Sequence, residues 1–292
     1  MSLILKSNVA YNGTKKLRSA TVLSMSPQDY FNQYKARVEA DGGVITDPVK
    51  TLATIEFLFQ NELVSRTNAL VSASFGVRKD ASNDIDKLYS ISGHDLVAKS
   101  YGAGVLPKFN AAEAMIDVVS TVSDNNNGTL FKTEKPVRVS AKGQIGFIVT
   151  AKMDKVDNAQ PTFINYTDLG ENADLYAMGR LIFSQSRAMA QNPLPNNIAT
   201  TTSYVVATKQ PVFHFWDVSR RTSKMYVNSV QAYAATMDLS PLIPTAFKYL
   251  TIGGSVLAAA KTFSHYDWYS AWALFDFTEA EGLLISDFLK TL

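Results

Sequence analysis

"VFHFWDVSRRTSKMYVNSVQ", residues 212–231, reads as two strands joined by a short basic turn, with a tighter turn closing the second. A strand's period of two puts Val212, His214 and Trp216 on one side and Phe213 and Phe215 on the other. After Ser219-Arg220-Arg221, Met225 and Val227 point one way and Tyr226 the other, and Asn228-Ser229 makes the bend. The stretch carries no catalytic pattern, so its value lies in what it says about architecture.

Working outward, "QIGFIVTAKM" (144–153) alternates well, with Ile145, Phe147, Val149, Ala151 and Met153 on one face. Further short strands are expected at 136–140, 180–186, 202–208, 249–254 and 265–277. Turn clusters separate them: "SDNNNG" (123–128), "DLGENAD" (168–174) and "QNPLPNN" (191–197). Short strands without intervening helices predict a mainly β fold, a two-sheet antiparallel jelly-roll sandwich.

Helices are expected at both ends. Ser26-Pro27-Gln28-Asp29 offers a cap, a proline at the first helical position and an acid, and Tyr30, Phe31, Tyr34 and Val38 follow at helical spacing. Asp47-Pro48 starts a second helix, with the stripe Val49, Leu52, Ile55, Phe59 and Leu63. Thr278-Glu279-Ala280-Glu281 is a capping box ahead of Leu284, Ile285, Phe288, Leu289 and Leu292. Two units are therefore expected: residues 1–83, an extended arm plus an N-terminal helical hairpin, and residues 84–292, a jelly-roll sandwich closed by a short C-terminal helix.

Composition excludes several classes. With no cysteine among 292 residues, disulfides, thiolate metal sites and cysteine nucleophiles are ruled out. A net charge of +2, with basic residues scattered through "TKKLR" (14–18) and "SRRTSK" (219–224), argues against a nucleic-acid partner. No apolar run is long enough to span a bilayer or form a signal core, so a soluble chain folded in the cytoplasm, with no membrane partner, is expected.

Four segments resemble the concanavalin-A-like lectin and laminin-G-like jelly-roll superfamily: "DKLYSISGHDLVA" (86–98), the opening stretch itself, "YLTIGG" (249–254) and "WYSAWALFDFTEAEGLLISDFL" (268–289). Ser229 stands where that family usually has glycine, so a looser turn is expected there. "FNQYKARVEADGGVITDP" (31–48) resembles the lead-in of jelly-roll proteins of tailed bacteriophages. These resemblances imply a non-enzymatic virion structural component: a fibre, collar, baseplate or capsid-surface protein. Its partners would be other virion proteins and itself, as an oligomer with a trimer favoured, and its helices and arm would make the subunit contacts. The alternative is a carbohydrate-binding module or adhesin that binds a host-surface glycan.

Catalytic sets are absent. Glu279 and Glu281 have the spacing of a glycosidase pair but sit in the first turn of the last helix, where a dipole and capping role is expected. His94, His214 and His265 are far apart, and His214 is expected to be a packed, hydrogen-bonded core residue. "IGGSVL" (252–257) lacks the last glycine of a nucleophile elbow. No organic cofactor is expected. Calcium would suit the Asp and Asn oxygens of "SNDID" (82–86), 123–128 and 168–174, which serve equally well as plain turns. For glycan stacking the candidates are Trp268, Tyr269 and Trp272, with the two tryptophans on one strand face and Tyr269 on the other.

Overall fold

A computed structural model of the chain describes residues 25–118, 128–139, 143–152, 162–167, 180–184, 187–191, 199–203, 208–236, 247–254 and 266–292. The elements in chain order begin with α1 (Pro27–Ala40), β1 (Val44–Ile45), α2 (Pro48–Gln60), β2 (Thr67–Ser72), β3 (Gly76–Lys79), β4 (Ile85–Tyr89) and β5 (Leu96–Tyr101). They continue with β6 (Lys108–Asn110), β7 (Met115–Val118), β8 (Gly128–Thr133), β9 (Val137–Arg138), β10 (Gln144–Ala151), β11 (Thr162–Thr167), β12 (Arg180–Ser184) and β13 (Arg187–Gln191). The last are β14 (Ala199–Ser203), β15 (Gln210–Asp217), β16 (Thr222–Val227), β17 (Val230–Thr236), β18 (Phe247–Ile252), β19 (Tyr266–Phe275) and α3 (Glu279–Leu289). The expected arm (1–24), His265 and the 168–174 turn lie outside the described residues, as does most of the 123–128 turn.

Among the described residues the strands form two antiparallel sheets. Sheet A runs β1-β3-β4-β5-β8-β18-β11-β12-β13-β14, with β9 also paired to β18. Sheet B runs β17-β16-β15-β10-β19-β7-β6, with β2 also paired to β19. The mainly β sandwich with an N-terminal helix pair and a C-terminal helix is thus as expected. Its division is not, because residues 67–79 supply β2 to sheet B and β3 to sheet A, so the sandwich begins well before residue 83.

The central strands of sheet B, β2, β10, β15 and β19, are buried on both faces. Ile145, Phe147, Val149 and Ala151 of β10 point between the sheets, against Ile164 and Leu250 of sheet A. Ile148 points the other way, joining Leu70, Phe213, Phe215, Trp272 and Leu274 beneath the helices. Each fully buried side chain of this kind contributes about 1.5–3 kcal/mol. The helices cover this second face with Phe31, Tyr34 and Val38 of α1, Ile55 and Leu58 of α2, and Ile285 and Leu289 of α3. They therefore complete the chain's own core.

Local sequence explains how the layer is held. Capping boxes start α1 (Ser26–Asp29) and α3 (Thr278–Glu281), and Asp47 caps α2. In the α2 stripe Ile55 and Leu63 are buried and Leu52 and Phe59 pack beside them, but Val49 is 78% exposed, and Thr51 and Thr54 are fully buried. Their hydroxyls donate to the carbonyls of Asp47 (2.7 Å) and Lys50 (2.8 Å), which removes the penalty for burying them. In α3, Ile285 and Leu289 are buried as expected, but Leu284 is exposed. The Asn228-Ser229 bend is tighter than expected. Both residues have positive φ (53° and 65°), and Val227 faces Val230, as in a type I′ hairpin. The Ser229 hydroxyl donates to Asp287 (2.6 Å), tying the turn to α3 where a glycine could not.

Gly282 seats α3: a Cβ there would lie 2.1 Å from the Phe213 ring. In an open helix, Gly→Ala gains about 1 kcal/mol. At this contact Gly282→Ala is expected instead to cost about 1–3 kcal/mol by overpacking, measured by urea denaturation.

Candidate functional site

The aromatic candidates divide sharply. Register along β10 and β19 steps between Thr150, which faces Ser270, and Ala151, which faces Trp268. Tyr269 is the extra residue of this β-bulge, and it reverses the alternation expected from the sequence. Trp268 and Trp272, placed on one face by a strict period of two, therefore lie on opposite faces. Trp268 packs between the sheets edge-on to Phe131, Trp272 packs under the helices near Phe288, and both are fully buried. Neither ring can stack on a sugar. Tyr269 remains half-buried at the surface, with Lys209 Nζ 4.6 Å from its ring centre and Glu113 3.5 Å from its hydroxyl.

The other candidates fall into structural roles. His214 is fully buried, with Nε2 2.8 Å from the Ser223 hydroxyl, and burial holds its pKa well below 6.5. Burial also lowers His94, against a smaller upward effect of Asp95. Glu281 closes the α3 capping box and pairs with Arg66 at 2.8 Å. In the 82–86 turn, Asp80 accepts from the amides of Ser82 (2.8 Å) and Asp84 (3.0 Å), and Asp84 pairs with Lys108 at 2.9 Å. No cluster of three or more metal-ligating His, Asp or Glu side chains occurs among the described residues.

Two concavities lie at opposite ends of α3. The larger, about 320 Å³, opens where β10 begins, β15 ends, β16 begins and α3 starts. Phe215 and Phe277 form its floor, and Gln144, Asp217, Arg220, Lys224, Glu279 and Arg66 line its walls. Glu279 pairs with Lys224 at 2.7 Å and accepts from the Tyr226 hydroxyl. Burial works upward on the Glu279 carboxyl, but these two contacts outweigh it and hold its pKa below the ordinary value. Asp217 is lowered in the same way: burial acts upward, and the Ser219 hydroxyl and Arg220 amide prevail.

The smaller concavity, about 30 Å³, lies beside the bulge, at the far end of α3. Ser72, Ser270 and Thr150 form a row across three adjacent strands. Ser72 donates to the Tyr269 carbonyl at 2.8 Å. The hydroxyls of Thr150 and Ser270 are buried without a partner. Lys50, Lys209, Glu113, Tyr269 and the α3 residues Leu289 and Leu292 complete the lining.

Neither place is marked in the local sequence. The basic segment 219–224 reads as a solvated face, and only the fold brings Arg220 and Lys224 beside Arg66 and Glu279. The hydroxyl row depends on inter-strand register, which leaves no local mark.

No protein-family model matches the chain, and no curated protein matches it. Solved structures do. The chain is similar to a structure of botulinum neurotoxin type C, whose cell entry depends on interaction with two ganglioside molecules (TM-score 0.53, 9% identity, 79% of this chain and 53% of that one). It is also similar to the binding domain of botulinum neurotoxin DC in complex with rat synaptotagmin II (TM-score 0.50, 8% identity, 78% and 52%). A third is the serotype D/C VPI 5993 binding domain (TM-score 0.50, 9% identity, 77% and 53%). The chain spans about half the length of these structures, and at such identities the likeness is one of fold.

Trp216, Trp268 and Trp272 are all fully buried, so acrylamide is expected to quench native tryptophan fluorescence weakly, and saccharides not at all. A strongly quenched native spectrum would put a tryptophan at the surface.

His214 makes a signed pH prediction. The unfolded chain takes up a proton near pH 6.5 and the folded chain does not, so stability is lost as pH falls below 6.5. Replacing His214 with Gln, which keeps a polar partner for Ser223, should flatten the stability slope between pH 6.5 and 5. The slope removed is at most about 1.4 kcal/mol per pH unit, read by urea denaturation across that range.

Proposed function

We propose that the chain is a non-enzymatic, lectin-type sandwich of the concanavalin-A-like kind that binds carbohydrate in the cleft beside the N-terminus of α3. The observation that carries this reading is the cleft itself: about 320 Å³, with polar groups of both signs fixed around an aromatic floor. Lys224–Glu279 and Arg66–Glu281 hold each other in place, so donors and acceptors are preorganised for a polyhydroxylated ligand. The shared fold with neurotoxin structures, one of them from a toxin that uses gangliosides, adds support. Binding is favoured over cleavage because Asp217 and Glu279 are both held below the ordinary carboxyl range. Glycoside hydrolysis needs one carboxyl raised to act as the acid.

A second reading places this module on a tailed-phage particle, as an oligomer. It rests on the resemblance carried by residues 31–48, and Val44 and Val49, 47% and 78% exposed, offer apolar surface there for a neighbouring subunit. Cosedimentation with particles and an oligomeric mass in solution support that reading. A monomer that never associates with particles removes it.

On a broad glycan array, with calcium present, the chain should bind a discrete set of saccharides. Arg220→Ala, which alters a side chain 82% exposed, should weaken that binding about 5- to 10-fold while leaving stability unchanged. A chain that binds no saccharide on such a panel contradicts the carbohydrate reading.

A further inference from the structure

Two buried hydroxyls share the 30 Å³ pocket at the C-terminal end of α3, and neither has a partner. Thr150 and Ser270 are only 2% and 3% exposed, so water outside the pocket does not satisfy them. They face each other directly across β10 and β19. Opposed residues of antiparallel strands hold their Cβ atoms about 4.5–5.5 Å apart, close enough for both hydroxyls to donate to one acceptor group between them. Lys50 and Lys209 line the same pocket. Lys50 has one distant partner, Asp47 at 4.0 Å, and Lys209 lies over the Tyr269 ring. Partial desolvation, and then the Lys50 charge, lower the Lys209 pKa, so the two ammonium groups repel one another there. The one carboxylate side chain in the lining, Glu113, is engaged by Lys152 at 3.2 Å.

We propose that this pocket binds the carboxylate of an acidic sugar, with Thr150 and Ser270 donating to its oxygens and Lys50 and Lys209 neutralising its charge. The volume limits the head group. A space of about 30 Å³ takes a small anionic group of a few oxygens and is too small for a sugar ring. The sugar body then lies outside, against the half-buried Tyr269. The choice of a sugar over other carboxylates rests on the carbohydrate reading above; the carboxylate itself rests on the pocket alone. This place is separate from the larger cleft, with α3 running between them.

The test is isothermal titration of the full chain with D-glucuronate, N-acetylneuraminate, glucose and acetate. The two acidic sugars should bind, glucose should not bind here, and acetate should compete weakly. Affinity should fall at least 10-fold in the Lys50→Gln/Lys209→Gln double variant and in Thr150→Val/Ser270→Ala, and should be unchanged in Arg220→Ala. Removing two unpartnered buried hydroxyls should not destabilise the chain. If the hydroxyl variant loses stability while sugar binding is unaffected, the pocket holds an ordered water only and the proposal fails. Equal affinity for glucose and glucuronate, or binding of an acidic peptide but of neither acidic sugar, also overturns it. Array binding that depends on Arg220 but ignores these substitutions sinks this site and leaves the carbohydrate reading standing. Acidic-sugar binding that depends on these residues but not on Arg220 upholds this site, and the cleft stands or falls on its own array binding.

Discussion

The centre of sheet B is apolar on both faces, and much of the structure follows from covering the second one. Neighbouring residues along its strands, such as Phe147 and Ile148, Val212 and Phe213, or Ala271 and Trp272, are buried in different cores. Sheet A covers one face. The other would leave Leu70, Ile148, Phe213, Trp272 and Leu274 in water, a patch far too large for a stable soluble surface. Helices α1, α2 and α3 supply the missing layer, so the molecule is a sandwich with a third layer on one side.

The positions of the two candidate sites follow from a mismatch of lengths. The eleven residues of α3 span about 16 Å at 1.5 Å each, whereas the eight of β10 and of β15, on which it packs, reach about 27 Å. A helix that short cannot roof the strands to both ends, and where its cover stops the sheet turns polar. At one end lie Gln144, Asp217 and Asp276, and at the other the row Ser72, Ser270 and Thr150. A polar network ties the helical layer to sheet A as well. Lys87, nearly buried, reaches Asp41 at the end of α1 (2.9 Å) and Glu134 (3.1 Å), while Arg37 of α1 pairs with Asp95. The Tyr34 hydroxyl donates to the Tyr89 carbonyl and accepts from the Gly76 amide, both at 2.8 Å. With several partners each, these groups avoid the penalty of an isolated buried charge.

Features written in short-range sequence were legible: the alternation of 145–151, the Asn228-Ser229 bend, the capping residues of all three helices and the core placement of His214. What was not legible depended on distant partners. Strands β2 and β3 lack a clear alternation because β2 is buried on both faces, so residues 67–79 read as part of the helical lead-in. The buried face of α2 also takes in Thr51 and Thr54, whose hydroxyls are satisfied by main-chain carbonyls one turn back. The tryptophans were misplaced by a single inserted residue at Tyr269, and the same bulge sets the edge of the hydroxyl pocket. Of the aromatic candidates, only Tyr269 reaches a site, because it is the residue the bulge pushes out of register.

Native-state hydrogen exchange across a denaturant series shows whether the helices are an integral layer of one cooperative core. Amides around Val38 and Ile55 should lose protection in the same global step as those around Ile148 and Trp272. If α1 and α2 instead open in an independent step of lower free energy while sheet B keeps its protection, the helices are an appendage and not part of that core.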